Sequence, residues 1–226
     1  MTAIALRKGT GQAKIVVVGG LKGGIGKTTA AMFVGLVYAI VHRKRVLFVD
    51  ADPSSQSGYD WFERTTDPQT GESALPLDLE VWPTDKVGAL AMKKASQYDI
   101  IVIDCGGDTD RILAAAVAVA YYVLIVVTPE KANLARLQPS LAAAAEAAVK
   151  AERPDTPIWV VFTKVDRRRV KYNQAVRDEL AAAGIAKADI EIPYIGSLYS
   201  DTYGDIPADL GDFEGLVKEV DEEVAA

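Results

Sequence analysis

Apolar residues recur along the chain in short unbroken runs, each followed by a longer stretch that reads as a helix. An unbroken apolar run bounded by turn residues is the pattern of a strand covered on both faces. The pattern predicts strands at 14–19, 45–49, 79–82, 99–103, 122–127, 157–162 and 190–192. It predicts helices at 30–41, 54–64, 85–97, 109–120, 132–152, 172–183 and 213–224. Residues 1–13 read as a loose lead-in, and 65–76, with Gly71 and two prolines, as the most loop-like stretch. Alternating strands and helices imply an α/β fold: a doubly wound, mostly parallel sheet with helices on both faces and right-handed crossovers. No repeat, low-complexity tract or linker interrupts it, so the expectation is one domain over 1–226.

The turn between the first strand and its helix carries the strongest chemistry: Leu21-Lys22-Gly23-Gly24-Ile25-Gly26-Lys27-Thr28-Thr29. A glycine-rich strand-to-helix turn points successive backbone N–H groups inward and cradles phosphates. Lys27 would reach the β- and γ-phosphates, and the Thr28 hydroxyl would ligate Mg²⁺. The plain pattern puts a glycine where Leu21 stands, and here an extra lysine, Lys22, precedes the glycines. Two later strands end in acids, at Asp50-Ala51-Asp52-Pro53 and at Asp104. Acids at the carboxyl ends of strands lie where an open α/β sheet binds ligands. Asp50 and Asp104 are candidates to hold Mg²⁺ through its waters. Asp52 is a candidate to orient an attacking water, against the plainer role of capping the helix after Pro53.

The loop with its extra lysine resembles the deviant Walker A motif of the ParA/MinD family of P-loop ATPases, of SIMIBI type. The resemblance extends over Asp50-Ala51-Asp52-Pro53, Trp61, the strand ending at Asp104, Val127-Thr128-Pro129 and Thr163-Lys164-Val165-Asp166-Arg167-Arg168. It implies an ATP- and Mg²⁺-dependent homodimer in which Lys22 reaches the partner subunit's nucleotide and Asp52 orients the water. Lys22 and Asp52 are then the catalytic pair, and Lys22 through Thr29 hold the nucleotide. The short length resembles the small ParA subgroup, the plasmid partition ATPases. These bind DNA without sequence preference and are stimulated by a ParB-like or other centromere-binding partner. Thr163-Lys164-Val165-Asp166 also resembles the element by which GTPases read guanine. ATP is nevertheless expected, with Thr163, Asp166, Pro193 and Tyr194 nearest the base. Competing readings are a MinD-like or scaffold ATPase positioning a protein complex, and a SIMIBI GTPase or metallochaperone.

Composition narrows these choices. The net charge of −6 means that any DNA binding must come from a local patch. Arg167, Arg168, Arg169, Lys171 and, farther along, Arg177 supply one candidate, because residues three or four apart on a helix share an edge. A solvated charge run is the competing reading. One cysteine, Cys105, and one histidine, His42, give little support to metal delivery. Cys105 reads as filler. No run reaches the ~20 apolar residues of a membrane-spanning helix, and 218–226 is too acidic for an anionic membrane surface. The expectation is a cytoplasmic, nucleoid-associated protein with no membrane partner.

Overall fold

The computed structural model describes residues 12–20, 23–107 and 110–225. Within them the chain runs β1 (Lys14–Gly19), α1 (Lys27–Leu36), β2 (Val46–Asp50), α2 (Ser57–Arg64), β3 (Asp78–Val81), α3 (Val87–Lys94) and β4 (Ile100–Asp104). It continues α4 (Asp110–Val117), β5 (Tyr122–Val127), α5 (Lys131–Leu134), α6 (Leu137–Lys150), β6 (Ile158–Phe162), α7 (Val170–Ala182) and α8 (Asp212–Ala225). The six strands form one all-parallel sheet in the order β3-β2-β4-β1-β5-β6.

Strand side chains alternate between the two faces, so each apolar run feeds two cores. Val16, Val18, Phe48, Val102 and Leu124 pack under α1, α2 and α8 with Phe33, Trp61 and Phe213. Val17, Leu47, Ile101, Ile103 and Val123 pack on the other face with Val87, Leu113, Ala144 and Val176. Each fully buried valine or isoleucine contributes about 2 kcal/mol. Helix α1 therefore covers one face and α4 the other, although β1 and β4 are neighbours. Connections leaving in opposite directions open a crevice at the strands' carboxyl ends, the topological switch point of such sheets.

Four expectations change. The helix expected over 132–152 is broken into α5 and α6 at 135–136. Pro139 explains the break: it lacks an N–H and its ring excludes the carbonyl four residues back, at Ala135. The strand expected at 190–192 does not form. Residues 186–194 run beside β6 with only isolated bridges, at Val160–Lys187 and Val165–Pro193. Glu219 of α8 takes the Asp189 and Ile190 N–H groups at 2.5 and 2.9 Å, which lifts the middle of the segment off the sheet edge. Helix α7 begins at Val170, so Arg167, Arg168 and Arg169 lie in the turn before it rather than along a helical edge. Helix α1 starts earlier than expected, at Lys27, and runs into a π turn over Val37–Val41.

Candidate nucleotide site

The P-loop joins β1 to α1 in the crevice. Gly24 and Gly26 hold φ of 76° and 92°, a region that side-chain-bearing residues avoid, which is why the turn is glycine-rich. Lys27 opens α1 and is buried, at 7% exposure. Two side chains from the loop after β6 brace this turn from outside. The Thr163 hydroxyl donates to the Ile25 carbonyl at 2.7 Å, and Lys164 Nζ donates to the Gly24 carbonyl at 2.7 Å. Lys164 itself takes a left-handed backbone, φ 54°. Leu21 and Lys22 lie outside the described residues, as do 1–11 of the lead-in, Asp108 and Thr109.

Asp50 and Asp104 end adjacent strands and stand abreast in register. Both are buried, at 0% and 2% exposure. Asp50 is already provisioned: Oδ1 accepts from the Asp52 N–H at 3.1 Å and Oδ2 from the Tyr59 N–H at 3.0 Å, with Gly58 adding a further backbone bond. Burial still outweighs those bonds and raises its pKa. Asp104 is pushed up to about 7, chiefly by burial, although the Thr28 hydroxyl donates to it and Lys27 lies near. Among the described residues its Oδ2 has no hydrogen-bond partner. A buried carboxylate oxygen left without a partner, beside a second carboxylate and a loop hydroxyl, is costly unless a cation completes it. The donor set is all oxygen, which suits Mg²⁺. Among the described residues no group of three or more His, Cys, Asp and Glu side chains is arranged as a metal cage. A cation here would lean on water and phosphate oxygens, as Mg²⁺ does.

Asp52 sits beside this pair and is half-buried. Its Oδ1 accepts from the Ser54 and Ser55 N–H groups at 2.8 and 3.4 Å, and Oδ2 from the Ser55 hydroxyl at 3.0 Å. It thus caps the turn after Pro53, and Oδ2 retains an accepting lone pair. A Cβ at Gly106 would stand 2.6 Å from Asp52 Oδ1, so only glycine fits beneath the carboxylate. Cys105 is buried and its thiol is raised by burial, as filler would be.

On the other side of the P-loop a small pocket of about 30 Å³ is lined by Gly26, Thr29, Thr163, Pro193, Tyr194 and, from farther along, Tyr199 and Phe213. The bond from Tyr194 N–H to the Val165 carbonyl, 3.0 Å, holds the two loops together. Asp166 does not line this pocket. Both its oxygens accept from the Arg168 guanidinium at 2.9 Å, and the carboxyl is held down to about 2 by that partner. Sequence reasoning missed Lys164 as a brace, Gly106 as a seat for Asp52, and Tyr199 and Phe213 as pocket walls.

Residues 15–203 match the CobQ/CobB/MinD/ParA nucleotide binding domain. The chain belongs to that family. A curated relative of the family fold, the maintenance of carboxysome distribution protein A of Gloeobacter kilaueensis, is 34% identical over 116 residues. That match spans 51% of this chain and 49% of the relative, about half of its length. A plasmid partition protein from Borrelia burgdorferi superposes with a TM-score of 0.67 at 17% identity, covering 94% of this chain and 100% of that one. Cobyrinic acid a,c-diamide synthase from Mycobacterium smegmatis, solved with ADP and magnesium, superposes with a TM-score of 0.72 at 16% identity, covering 95% and 96%. At these identities the structural likeness is one of fold. Within the family's domain, the P-loop, Asp50, Asp52 and Asp104 of this chain converge on one crevice, whereas Arg177 and Asp166 are tied elsewhere.

The basic residues end up engaged. Arg167 bonds Asp212 at 3.2 Å, Arg177 chelates Glu191 at 2.6 and 2.7 Å, and Arg169 lies 3.9 Å over the Tyr172 ring. Lys171 stands exposed in the first turn of α7. No helix among the described residues is long and apolar enough to cross a membrane.

Proposed function

We propose that this chain is an ATP hydrolase of the partition type, which binds MgATP, pairs with a second copy and positions a cargo, DNA in the first instance. The observation that carries the reading is the pair Asp50–Asp104, abreast under the P-loop with the Thr28 hydroxyl on Asp104 and an Asp104 Oδ2 that is unpartnered among the described residues. Thr28, Asp50 and Asp104 would hold Mg²⁺, which when bound neutralises phosphate charge. Gly23 through Thr29 cradle the phosphates and Lys27 faces them. Asp52 Oδ2 accepts a hydrogen bond from the attacking water and aims it. Lys22 supplies positive charge across the dimer, where two phosphate-laden sites would otherwise repel.

The base is adenine in this reading. Asp166, the acid that would read guanine, is turned outward to Arg168. Thr163 serves the P-loop, which leaves Pro193, Tyr194, Tyr199 and Phe213 around the base. A ParB-like or other partner that stimulates hydrolysis belongs to the same proposal. A second reading, positioning of a protein assembly, is favoured by the engagement of Arg167, Arg168 and Arg177 with acids and by the carboxysome distribution relative.

The test combines Asp52→Ala with a nucleotide competition. The variant should keep MgATP affinity and lose turnover by about 100-fold or more, accumulating dimers in sedimentation. Those dimers should bind arbitrary duplex DNA in ATP but not ADP, with binding that weakens as salt rises. Preference for GTP would overturn the nucleotide assignment. Trapped dimers that leave DNA free at low salt would replace DNA by a protein cargo.

A further inference from the structure

Arg167 and Arg177 both line a cleft of about 310 Å³ between the start of α7 and the 189–191 turn, walled by Val165, Val170 and Ile190. Asp189, Glu191 and Asp212 line it too. Two guanidiniums against three carboxylates make it a poor anion seat as it stands. Withdrawing one acid would balance the charges and free guanidinium N–H groups, donors that suit a phosphate.

Asp212 is the acid placed for withdrawal, because it lines the cleft and also bonds Tyr199, a wall of the base-side pocket. Its Oδ1 accepts from Arg167 at 3.2 Å, and its Oδ2 accepts from the Tyr199 hydroxyl at 3.2 Å. The Tyr199 oxygen in turn accepts from the Asp212 N–H at 3.0 Å. Tyr199 is buried against Phe33 of α1 and Phe213, with ring centres 5.3 and 5.5 Å away. Tyr199 and Phe213 share a pocket with Gly26 and Thr29 of the P-loop. Gly211, at φ 55°, leaves no room for a side chain: a Cβ there would stand 2.4 Å from the Tyr199 oxygen. The start of α8 therefore cannot shift without Tyr199, nor Tyr199 without it. By contrast, among the described residues Glu191 bonds only Arg177 and Lys187, away from that pocket.

We propose that the cleft is a seat for a phosphodiester of duplex DNA, and that Asp212 is an acidic latch on Arg167 which a nucleotide base releases through Tyr199. The proposal rests on the function proposed above and adds its regulation. The Arg167 side chain is 66% exposed, and ion pairs so exposed are weak, so a small displacement of Tyr199 suffices to open the latch. Linkage requires the converse: a phosphodiester on Arg167 must tighten the nucleotide by the same factor.

The experiment pairs Asp212→Asn with Glu214→Gln, which removes one charge from the same exposed first turn of α8 without touching Arg167. Duplex DNA affinity is measured by gel shift without nucleotide and with ATP. Asp212→Asn should strengthen binding without nucleotide by about tenfold and shrink the ratio between the two conditions. Glu214→Gln should strengthen both states alike and preserve the ratio. Equal ratios in the two variants would overturn the latch. A second arm needs no DNA: amide exchange across 167–171, followed by mass spectrometry, should rise in the wild type when ADP or ATP is added. In Asp212→Asn it should be high with and without nucleotide. A wild type that binds no duplex but shows this response would overturn the DNA seat while supporting the latch. A wild type whose 167–171 segment ignores the nucleotide would overturn the latch, whatever its DNA binding.

Discussion

The two charged regions of this molecule are built in opposite ways. Around the P-loop the charges are few, buried and fixed by strand ends: Lys27, Asp50 and Asp104 are each under 10% exposed. At the start of α7 the charges are many and more exposed, and Arg167, Arg168 and Arg177 are each answered by an acid. A buried carboxylate with an oxygen to spare costs free energy in the empty protein, and a cation recovers that cost. An exposed arginine already paired has little to gain from a ligand unless its partner leaves. In the reading proposed above, the first region is preorganised for chemistry and the second for regulation.

That contrast predicts unequal responses to substitution. Lys27→Ala should have the largest effect, weakening MgATP binding by about 100-fold or more in titration calorimetry, since a buried charged donor to phosphate is lost. If binding survives nearly intact, the crevice is not the phosphate site. Thr163→Val should be intermediate. It deletes the 2.7 Å bond to the Ile25 carbonyl while keeping the shape, and should cost about 1 kcal/mol, or roughly fivefold in nucleotide affinity. An unchanged affinity would mean that the P-loop needs no brace from the β6 loop. Arg168→Ala should be smallest: its pair with Asp166 is 90% exposed on the arginine side, and the urea unfolding midpoint should barely move. A larger loss would place Arg168 in a network that its geometry does not suggest.

The same division governs what the sequence makes legible. Asp50 and Asp104 can be found from sequence because each closes an apolar run, and a strand tip in a parallel sheet is a defined place. The P-loop is local and carries its own glycines. Arg167 and Arg177 look alike in sequence, yet their partners lie 45 and 14 residues away, so no local pattern separates a free arginine from a spoken-for one. Tyr199 and Phe213 reach the base-side pocket only because α8 folds back over α1. Lys164 stands within a recognised element, but its bond to Gly24 crosses 140 residues. The strand expected at 190–192 has the right composition but pairs only at isolated points: a glutamate from α8 takes the Ile190 N–H, while Ile192 still donates to Phe162. The helix over 132–152 could have been divided from sequence, since Pro139 announces the break.

The central claim is that Asp104 and Asp50 form the cation seat of an ATP site. The most direct measurement is ATP affinity by calorimetry with Mg²⁺ and with chelator, in the wild type and in Asp104→Asn. Both proteins should be checked for equal unfolding midpoints. The account predicts that Mg²⁺ tightens ATP in the wild type by about tenfold or more and that the substitution removes most of this gain while leaving the chelator value nearly unchanged. An Asp104→Asn protein that keeps the full Mg²⁺ dependence would contradict it.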